Sequence, residues 1–371
     1  MKFNFYQPTK IHFGSGMLNQ LGKIAKPYGD KCLLVTTEDV FPLNQLFEKV
    51  KALLNQSGIE VYHFDQVIPN PTVEIIESGI ETLIECKVDF VLAVGGGSSI
   101  DTAKTIALLN ESERNWNELF NKYNDPFGQY ESLCDMPLLS IPTTAGTGSE
   151  VTQAAVITMG HEKNTIFHPS NYSNEAILDP ELLLTLPSRL TAATGFDAFC
   201  HAFESFISQK ASPLSEMYSF DAMKKVVEVL PKAIKSPENL SYREDLMFAQ
   251  MQAGIALANS GASAPHPLSE IIGGIAHVSH GEALALVFPE FVEVFYNDNK
   301  KKFDQVSELF NKPLNEGIID FLKEIDLYNT KATYGISKEQ EELLINSPIL
   351  GYLPFGSKET LQSILIESFN R

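Results

Sequence analysis

Residues 90–104 read FVLAVGGGSSIDTAK, in which a short apolar run meets three consecutive glycines and then a helix-forming segment. The apolar run predicts a strand, and we expect a helix to begin after Ser98. Glycines between a strand and a helix let the backbone approach a phosphate, and the helix N-terminus directs free N–H groups at it. The run lacks the Gly-x-Gly-x-x-Gly spacing of dinucleotide-binding loops, so a tight strand-to-helix turn is the alternative. Asp101 lies in the first turn of the predicted helix, where an acid complements the helix dipole even without a ligand. The candidate cofactor-binding residues of this stretch are Gly96, Gly97, Ser98 and Asp101.

Strand and helix patterns alternate on both sides of this stretch. Apolar runs at 31–36, 60–64 and 137–141 predict strands, and amphipathic segments at 43–56 and 72–87 predict helices. This alternation is typical of a doubly wound α/β domain. From Thr191 onward the pattern becomes almost entirely helical. We therefore predict an α/β domain over residues 1–182 and an all-α domain over residues 183–371, with short strands at 2–6 and 10–13.

Composition narrows the classes of function. The chain has 371 residues, which suits two domains, and a formal charge of −19, which disfavours nucleic acid and anionic membranes as partners. It contains no run of about 18 apolar residues, so no membrane span is expected. The N-terminal residues lack the pattern of a signal peptide, and four scattered cysteines without a Cys-x-x-Cys pair suggest reduced thiols. We expect a cytoplasmic protein.

A second polar segment, PTTAGTGSE, occupies residues 142–150 directly after the strand at 137–141. Small hydroxyl side chains and glycines at the C-terminal end of a strand form a candidate cradle for an anion or a ribose. Both candidate cradles therefore lie in the α/β half of the chain.

The helical half contains the candidate metal ligands. Asp197 and His201 are four residues apart in GFDAFCH, residues 195–201, so they share one face of a helix. The other residues of this helix are mostly apolar, so both side chains are expected to be buried, and a buried carboxylate needs a partner. His266 and His280 follow in glycine-rich apolar surroundings. One Asp and three His suit iron or zinc, whereas a surface pair and an ordinary loop histidine are the alternatives. We predict that the site lies in a cleft between the two domains.

Several long motifs occur in an order that resembles the iron-containing, or group III, alcohol dehydrogenases. The matching stretches are residues 95–104, 142–152 and 178–204, followed by His266 and His280 in their local contexts. The resemblance implies a Rossmann-like N-terminal domain followed by an all-α C-terminal domain, the architecture of dehydroquinate synthase-like proteins. It also implies a homodimer that pairs through residues 2–13.

The resemblance implies the following site residues. Asp197, His201, His266 and His280 match the metal ligands, with Fe²⁺ expected and Zn²⁺ compatible with the same ligands. The glycine run matches the pyrophosphate loop. The remaining cofactor positions are Thr143, Thr144 and Thr147 in the second segment, Lys163 and Leu182 near the ribose and nicotinamide, and Asn70 in the turn at 69–72.

This chain departs from the family pattern at three places. The family frequently has a second histidine four residues after the third ligand, where this chain has Glu270. His277 is an additional histidine just before His280. We name Glu270 and His277 as candidate catalytic residues, with a hydrogen-bond network for Glu270 and a surface or supporting role for His277 as the alternatives. The region after residue 330 matches poorly, and that region lines the substrate pocket in the family.

The resemblance implies a metal-dependent alcohol dehydrogenase or aldehyde reductase that transfers a hydride between NAD(P)(H) and a small primary alcohol or aldehyde. Thr37 and Glu38 follow the strand at 31–36, and an acid beside the ribose repels a 2′-phosphate, so NAD is preferred and NADP is the alternative.

A dehydroquinate synthase-like lyase with NAD and zinc is the second hypothesis. It requires a cluster of cations, and Arg189 and Lys210 are the nearest in sequence to the ligands. A non-enzymatic metal- or nucleotide-binding protein is the third.

Overall fold

The structure is a computed structural model that describes residues 2–109, 114–131, 136–160 and 162–371. It contains two compact units. One unit, Tyr6–Leu184, is α/β, and the other is helical and consists of Thr185–Arg371 with the N-terminal residues up to Phe5. This architecture confirms the predicted fold class.

The α/β unit is built on a parallel sheet of six strands in the order β1-β8-β5-β4-β2-β3. Strands β6 and β7 form a separate antiparallel hairpin. The strands are β1 (Lys10–Phe13), β2 (Lys31–Thr37), β3 (Glu60–Val67), β4 (Phe90–Gly95), β5 (Leu138–Pro142), β6 (Ala154–Met159), β7 (Glu162–Phe167) and β8 (Glu175–Leu178).

Both faces of the sheet carry apolar cores, and this is why its central strands read as continuous apolar runs. Along β4, Val91 and Ala93 pack into one core, whereas Leu92 and Val94 pack into the other. The helices of this unit are α1 (Leu21–Ala25), α2 (Asn44–Gln56), α3 (Val73–Cys86), α4 (Gly97–Leu108) and α5 (Trp116–Lys122).

The prediction of a strand at residues 2–6 is wrong. These residues adopt no regular structure, and strand structure begins only at Lys10. Phe5 instead stacks on Tyr218 within the helical unit, with 6.0 Å between the ring centroids. A side-chain contact, rather than sheet pairing, therefore holds this segment.

The helical unit contains nine further α-helices in its described residues, and none of the helices found in the described ranges is long and apolar enough to cross a bilayer. The helices are α6 (Ser188–Ile207), α7 (Pro213–Lys235), α8 (Leu240–Ser260), α9 (Pro265–Ala276), α10 (His280–Phe295), α11 (Lys300–Ser307), α12 (Leu314–Glu324), α13 (Lys338–Ile345) and α14 (Lys358–Asn370).

Helix α6 is buried on two faces that differ in chemistry. The apolar face carries Phe196, Phe199 and Phe203 at helical spacing, and the polar face carries residues 197, 201 and 204. Phe199 lies fully buried within 5.9–6.2 Å, between ring centroids, of five other phenylalanines. Aromatic packing thereby fixes the rotation of α6, and with it the direction of the polar face.

The N-terminus of α10 passes very close to α6. Gly281 permits this approach, because a Cβ atom at that position would overlap the backbone carbonyl of Ala193. His280 is the neighbouring residue, so the absence of a side chain at Gly281 allows that imidazole to reach the polar face of α6.

Replacing Phe199 with Ala should lower the free energy of unfolding by about 3–5 kcal/mol, because it opens a cavity among aromatic rings that cannot fully collapse. Urea unfolding followed by far-UV circular dichroism measures the change. Tyr352→Ala is the matched control, since Tyr352 is 86% exposed, and it should change the same free energy by less than about 0.5 kcal/mol. Equal effects of the two substitutions would contradict this description of the core.

Candidate metal centre and nucleotide-binding loops

Asp197 lies at the centre of the predicted ligand cluster. Its Oδ1 atom is 3.3 Å from His266 Nε2, 3.4 Å from His280 Nε2 and 3.6 Å from His201 Nδ1. The ligand atoms of Asp197, His201 and His266 all lie within 4.8 Å of one another, and these three residues are buried. His280 joins them from the start of α10 and is more exposed, at 31% of its side chain. The structure thus brings all four predicted ligands together from three helices.

These distances fit a metal ion. Four ligands placed at about 2.0–2.2 Å around a tetrahedral centre are separated from one another by about 3.3–3.6 Å. The three Asp197-to-imidazole distances, 3.3–3.6 Å, lie in this range. One carboxylate and three imidazoles also form the donor set that suits iron and zinc.

The electrostatics of the cluster favour a bound cation. Burial alone would raise the pKa of Asp197, but the surrounding imidazoles of His201, His280 and His266 outweigh burial and hold that pKa well below its usual value. The carboxylate is therefore an anion inside a helical core. A buried anion is stable only beside compensating positive charge, which a divalent cation supplies.

Glu204 orients the ligand His266. Its Oε1 atom lies 2.5 Å from His266 Nδ1, and its Oε2 atom accepts a hydrogen bond of 2.6 Å from the backbone N–H of Ser263. With its Nδ1–H donated to Glu204, His266 presents Nε2 to the metal site. Burial lowers the pKa of His266, but Glu204 and Asp197 outweigh burial and raise that pKa to about 10. The imidazole therefore keeps a proton until a metal ion replaces it.

Ser269 supports the ligand His280 in the same way. Its hydroxyl donates to the backbone carbonyl of His266 over 2.7 Å and lies 3.2 Å from His280 Nδ1. A hydroxyl that donates to a carbonyl can accept from the imidazole, which leaves His280 Nε2 for the metal. Neither Glu204 nor Ser269 was predicted from the sequence as a site residue. Glu204 could have been found, because it lies on the Asp197 face of α6, whereas the contact of Ser269 with α10 has no local signal.

The two candidate catalytic residues differ in their surroundings. Glu270 lies one helical turn after His266 on α9, is half-buried and makes no side-chain hydrogen bond or ion pair with the described residues. His277 is exposed and ends α9 in the left-handed conformation, with φ of 57°. Its backbone N–H closes the helix on Gly273. A catalytic role for either residue stays a prediction.

Arg189, one of the two cations nearest in sequence to the ligands, is already engaged. Its Nε atom donates to Glu282 Oε1 over 2.7 Å, and Glu282 also accepts from Ser279 over 2.5 Å. The ion pair uses the guanidinium that a substrate phosphate would require.

In the α/β unit, the glycine loop (residues 95–98) and the threonine segment (residues 142–150) form one surface. Gly95 and Pro142 are level in adjacent strands, and the backbone N–H of Thr143 donates to the Gly95 carbonyl over 2.9 Å. A Cβ atom on Gly97 would lie 2.7 Å from the Thr147 methyl group, and one on Gly96 would lie 3.2 Å from that of Thr144. A side chain at 97 would therefore require Thr147 to move. The structure thus unites the two candidate cradles at the N-terminus of α4.

Asp101 uses both carboxylate oxygens within the protein. Oδ1 accepts from Ser149 Oγ over 2.6 Å, and Oδ2 accepts from the backbone N–H of Val156 over 3.0 Å. One turn later, the fully buried Lys104 donates to the same segment. The cofactor contact of Asp101 stays a prediction, and the role of Lys104 in this segment was not predicted from the sequence.

The end of β2 carries the residues predicted to face the ribose. Thr37 is half-buried and Glu38 is exposed. Asp39 is paired with Lys51 Nζ at 2.9 Å and lies 3.6 Å from His63 Nδ1. Of these two acids, Asp39 is therefore engaged within the protein, whereas Glu38 forms no salt bridge with the described residues.

The last three cofactor candidates occupy different parts of the same unit. Asn70 is exposed in the turn before α3, with φ of 57°. Thr158 bridges Thr72 in that turn and pairs with Lys163 across the β6–β7 hairpin, so Asn70 and Lys163 belong to neighbouring segments. Leu182 lies in a short turn after β8 and packs partly against the core. Their contacts with a cofactor stay predictions, as does the placement of the site in a cleft between domains.

Comparison with known proteins matches nearly the whole chain. A family model described as "Iron-containing alcohol dehydrogenase" matches residues 8–180, and one described as "Fe-containing alcohol dehydrogenase family, C-terminal" matches residues 191–350. Long-chain-alcohol dehydrogenase 1 of Geobacillus thermodenitrificans is 32% identical over 91% of this chain and 82% of its own length. NAD-dependent methanol dehydrogenase of Bacillus methanolicus is 32% identical over 83% of this chain and 80% of its own.

A solved structure shares the complete fold. Sulfoacetaldehyde reductase from Bifidobacterium kashiwanohense, in complex with NAD⁺, superposes with a TM-score of 0.84 and 26% sequence identity. The superposition covers 100% of this chain and 99% of that chain.

Replacing Glu204 with Gln should weaken Zn²⁺ binding about 10- to 100-fold, because it removes the charge that holds the His266 proton at Nδ1. Competition with a chromophoric chelator measures the dissociation constant. Glu290→Gln is the control, since Glu290 lies farther along α10 and pairs with Arg371, and it should leave Zn²⁺ affinity unchanged. Wild-type Zn²⁺ affinity in the Glu204 variant would show that Glu204 does not support the ligand.

Proposed function

Because this chain belongs to the iron-containing alcohol dehydrogenase family, we propose that it interconverts small primary alcohols and aldehydes, with NAD as its preferred nucleotide. Its general activity is that of an NAD(P)-dependent alcohol dehydrogenase. The observation that carries the proposal is the convergence of Asp197, His201, His266 and His280 at distances that fit a metal ion.

The four ligands would hold Fe²⁺, and the same donor set accepts Zn²⁺. A divalent metal in this position supplies Lewis-acid chemistry, which lowers the pKa of an alcohol and polarises the carbonyl of an aldehyde. Glu204 and Ser269 fix the imidazoles of His266 and His280 for this purpose. The aromatic packing of α6 keeps the carboxylate of Asp197 in place.

The nucleotide would bind at the joined glycine and threonine segments. The N-terminus of α4 offers backbone N–H groups to the pyrophosphate, and Gly96 and Gly97 allow its close approach. Glu38 would accept a hydrogen bond from the ribose and disfavour a 2′-phosphate, which supports NAD over NADP. A nucleotide held there would supply the hydride chemistry of its nicotinamide.

Glu270 is the better candidate for moving the substrate proton. It is half-buried, one turn from His266, and its carboxylate makes no hydrogen bond or ion pair with the described residues, so it is available to a substrate or water. His277 uses its backbone to end α9 and exposes its side chain, which favours a supporting role.

We also propose a cytoplasmic homodimer. Strand β1 is an edge of the sheet and pairs only with β8 among the described strands, so a second copy could extend the sheet there. Cys32, Cys86 and Cys200 are free thiols, as suits a reducing compartment.

The lyase hypothesis is not favoured. Its substrate phosphate requires a cluster of cations, and Arg189, one of the two cations nearest in sequence to the ligands, is paired with Glu282. The relatives matched by this chain are named as alcohol dehydrogenases.

With Fe²⁺ or Zn²⁺ supplied, the protein should oxidise NADH in the presence of small aldehydes, and Asp197→Ala should reduce this activity to background because it removes the central ligand. The loss of NADH absorbance, measured with a panel of aldehydes and repeated with NADPH, tests the reaction and the nucleotide together.

His168→Asn is the control for the loss of a buried polar side chain away from the metal ligands. His168 is buried in the α/β unit and accepts a hydrogen bond from the backbone N–H of Ser170. It should retain metal-dependent turnover. Turnover that survives in Asp197→Ala would refute the assignment of the metal centre, and absence of turnover in the wild type with every aldehyde would refute the function.

Replacing Glu270 with Gln should lower kcat about 100-fold, since a general acid or base is lost, while metal and NADH affinities remain unchanged. Steady-state kinetics and direct binding measurements separate these effects. Glu316→Gln, at an exposed position on α12, should behave as wild type. An unchanged kcat would mean that Glu270 carries no proton in the reaction.

A further inference from the structure

A buried ionic cluster lies beside the glycine loop, and the proposed chemistry does not use it. Lys104 on α4 is fully buried. Its ammonium group donates to Ser149 Oγ over 2.8 Å, to Thr152 Oγ1 over 3.1 Å and to the Ala154 carbonyl over 2.7 Å. Asp101 lies one turn earlier on the same helix, 4.0 Å from the ammonium.

The hydrogen bonds of this cluster match a protonated lysine. Ser149 Oγ donates to Asp101, and Thr152 Oγ1 donates to the Ser149 carbonyl over 3.3 Å, so both hydroxyls accept from Lys104. Together with the Ala154 carbonyl they provide three acceptors, which an ammonium with three N–H donors satisfies and a neutral amine with two does not.

Stability alone does not explain a buried ammonium. Burial lowers the pKa of Lys104 to about 8, although Asp101 and Glu150 oppose the effect. Replacing a buried ion pair with apolar side chains often leaves a protein equally or more stable. What the pair does achieve is to fix the segment 149–156 against α4, through three contacts from Lys104 and two from Asp101.

That segment leads directly to the glycine loop. The backbone N–H of Ser149 donates to Thr147 Oγ1 over 3.2 Å, and the side chain of Thr147 packs against Gly97. Lys104, Ser149, Thr147 and Gly97 therefore form a continuous path of contacts from the buried ammonium to the surface proposed for the nucleotide.

We propose that Lys104 is a positioning residue for the nucleotide, which acts with Asp101 to hold the threonine segment at the correct distance from the glycine loop. This inference rests on one part of the proposed function, namely that the nucleotide binds at the glycine loop and the threonine segment.

Lys104→Met should raise the NADH dissociation constant and the KM for NAD⁺ about tenfold or more, because small displacements of binding groups have large effects. The kcat at saturating NAD⁺ and the KM for the alcohol should change little, since the metal ligands lie in the other unit. NADH fluorescence titration of the metal-loaded protein gives the dissociation constant without turnover.

A pH profile distinguishes positioning from a general structural role. Above about pH 8 the wild-type ammonium loses its proton, which leaves one acceptor unfilled and the carboxylates of Asp101 and Glu150 without their cation. The affinity of the wild type for NADH should therefore fall from pH 7 to pH 9. The affinity of Lys104→Met for NADH should change less over the same pH range.

Ser149→Ala provides a milder second variant, since it removes the hydroxyl that joins Lys104 to Asp101 and keeps the backbone bond to Thr147. It should weaken NADH binding in the same direction, and it decides the question if Lys104→Met does not fold. Arg243→Met is the control for a buried cation, because Arg243 bonds Thr191 and Leu186 in the helical unit. It should shift the melting temperature and leave NADH affinity unchanged.

Wild-type NADH affinity in Lys104→Met, or in Ser149→Ala if the lysine variant is unfolded, would overturn the inference. An equal loss of NADH affinity in Arg243→Met would also overturn it, since the effect would then be unspecific. If the wild type binds NADH, and Lys104→Met and Ser149→Ala bind it weakly, the inference stands. This holds even where no aldehyde is turned over, in which case only the proposed function fails.

Discussion

The structure of the helical unit depends on one buried negative charge. Asp197 is held in its ionised form by three imidazoles, and it sits where α6, α9 and α10 meet. Because an isolated carboxylate is not tolerated in an apolar core, these helices must deliver positive charge to the same point. The close contact of Gly281 with α6, and the hydrogen bonds that Glu204 accepts from His266 and Ser269 accepts from His280, all serve this convergence.

The α/β unit solves a related problem with the opposite charge. Lys104 is buried beside the glycine loop and satisfied by hydroxyls, a carbonyl and a carboxylate. In both units, therefore, a buried ion and its partners determine where the surrounding segments lie. The surfaces proposed for ligand binding include His280, which contacts Asp197, and Thr147, which is linked to Lys104 through Ser149.

Local pattern predicted what depends on local geometry. The strand at 90–94, the helix after it and the shared helix face of Asp197 and His201 are all set by backbone periodicity, and each is present, although the helix begins at Gly97 rather than after Ser98. Contacts between distant segments have no such signal, so the bonds of Ser269 with His280 and of Lys104 with Ala154 were not foreseen. The strand wrongly predicted at 2–6 has the same cause, since Phe5 packs on a helix more than 200 residues away.

Helix α6 has consequences for how this sequence can diverge. Its phenylalanine face and its ligand face are interleaved within nine residues, 196–204. A single inserted or deleted residue between Asp197 and His201 would rotate everything downstream by about 100° and move both faces out of register. Substitutions at the apolar positions that conserve side-chain volume leave both faces in register. Evolutionary drift and protein engineering can therefore vary the composition of this helix, whereas its length between Phe196 and Glu204 is fixed.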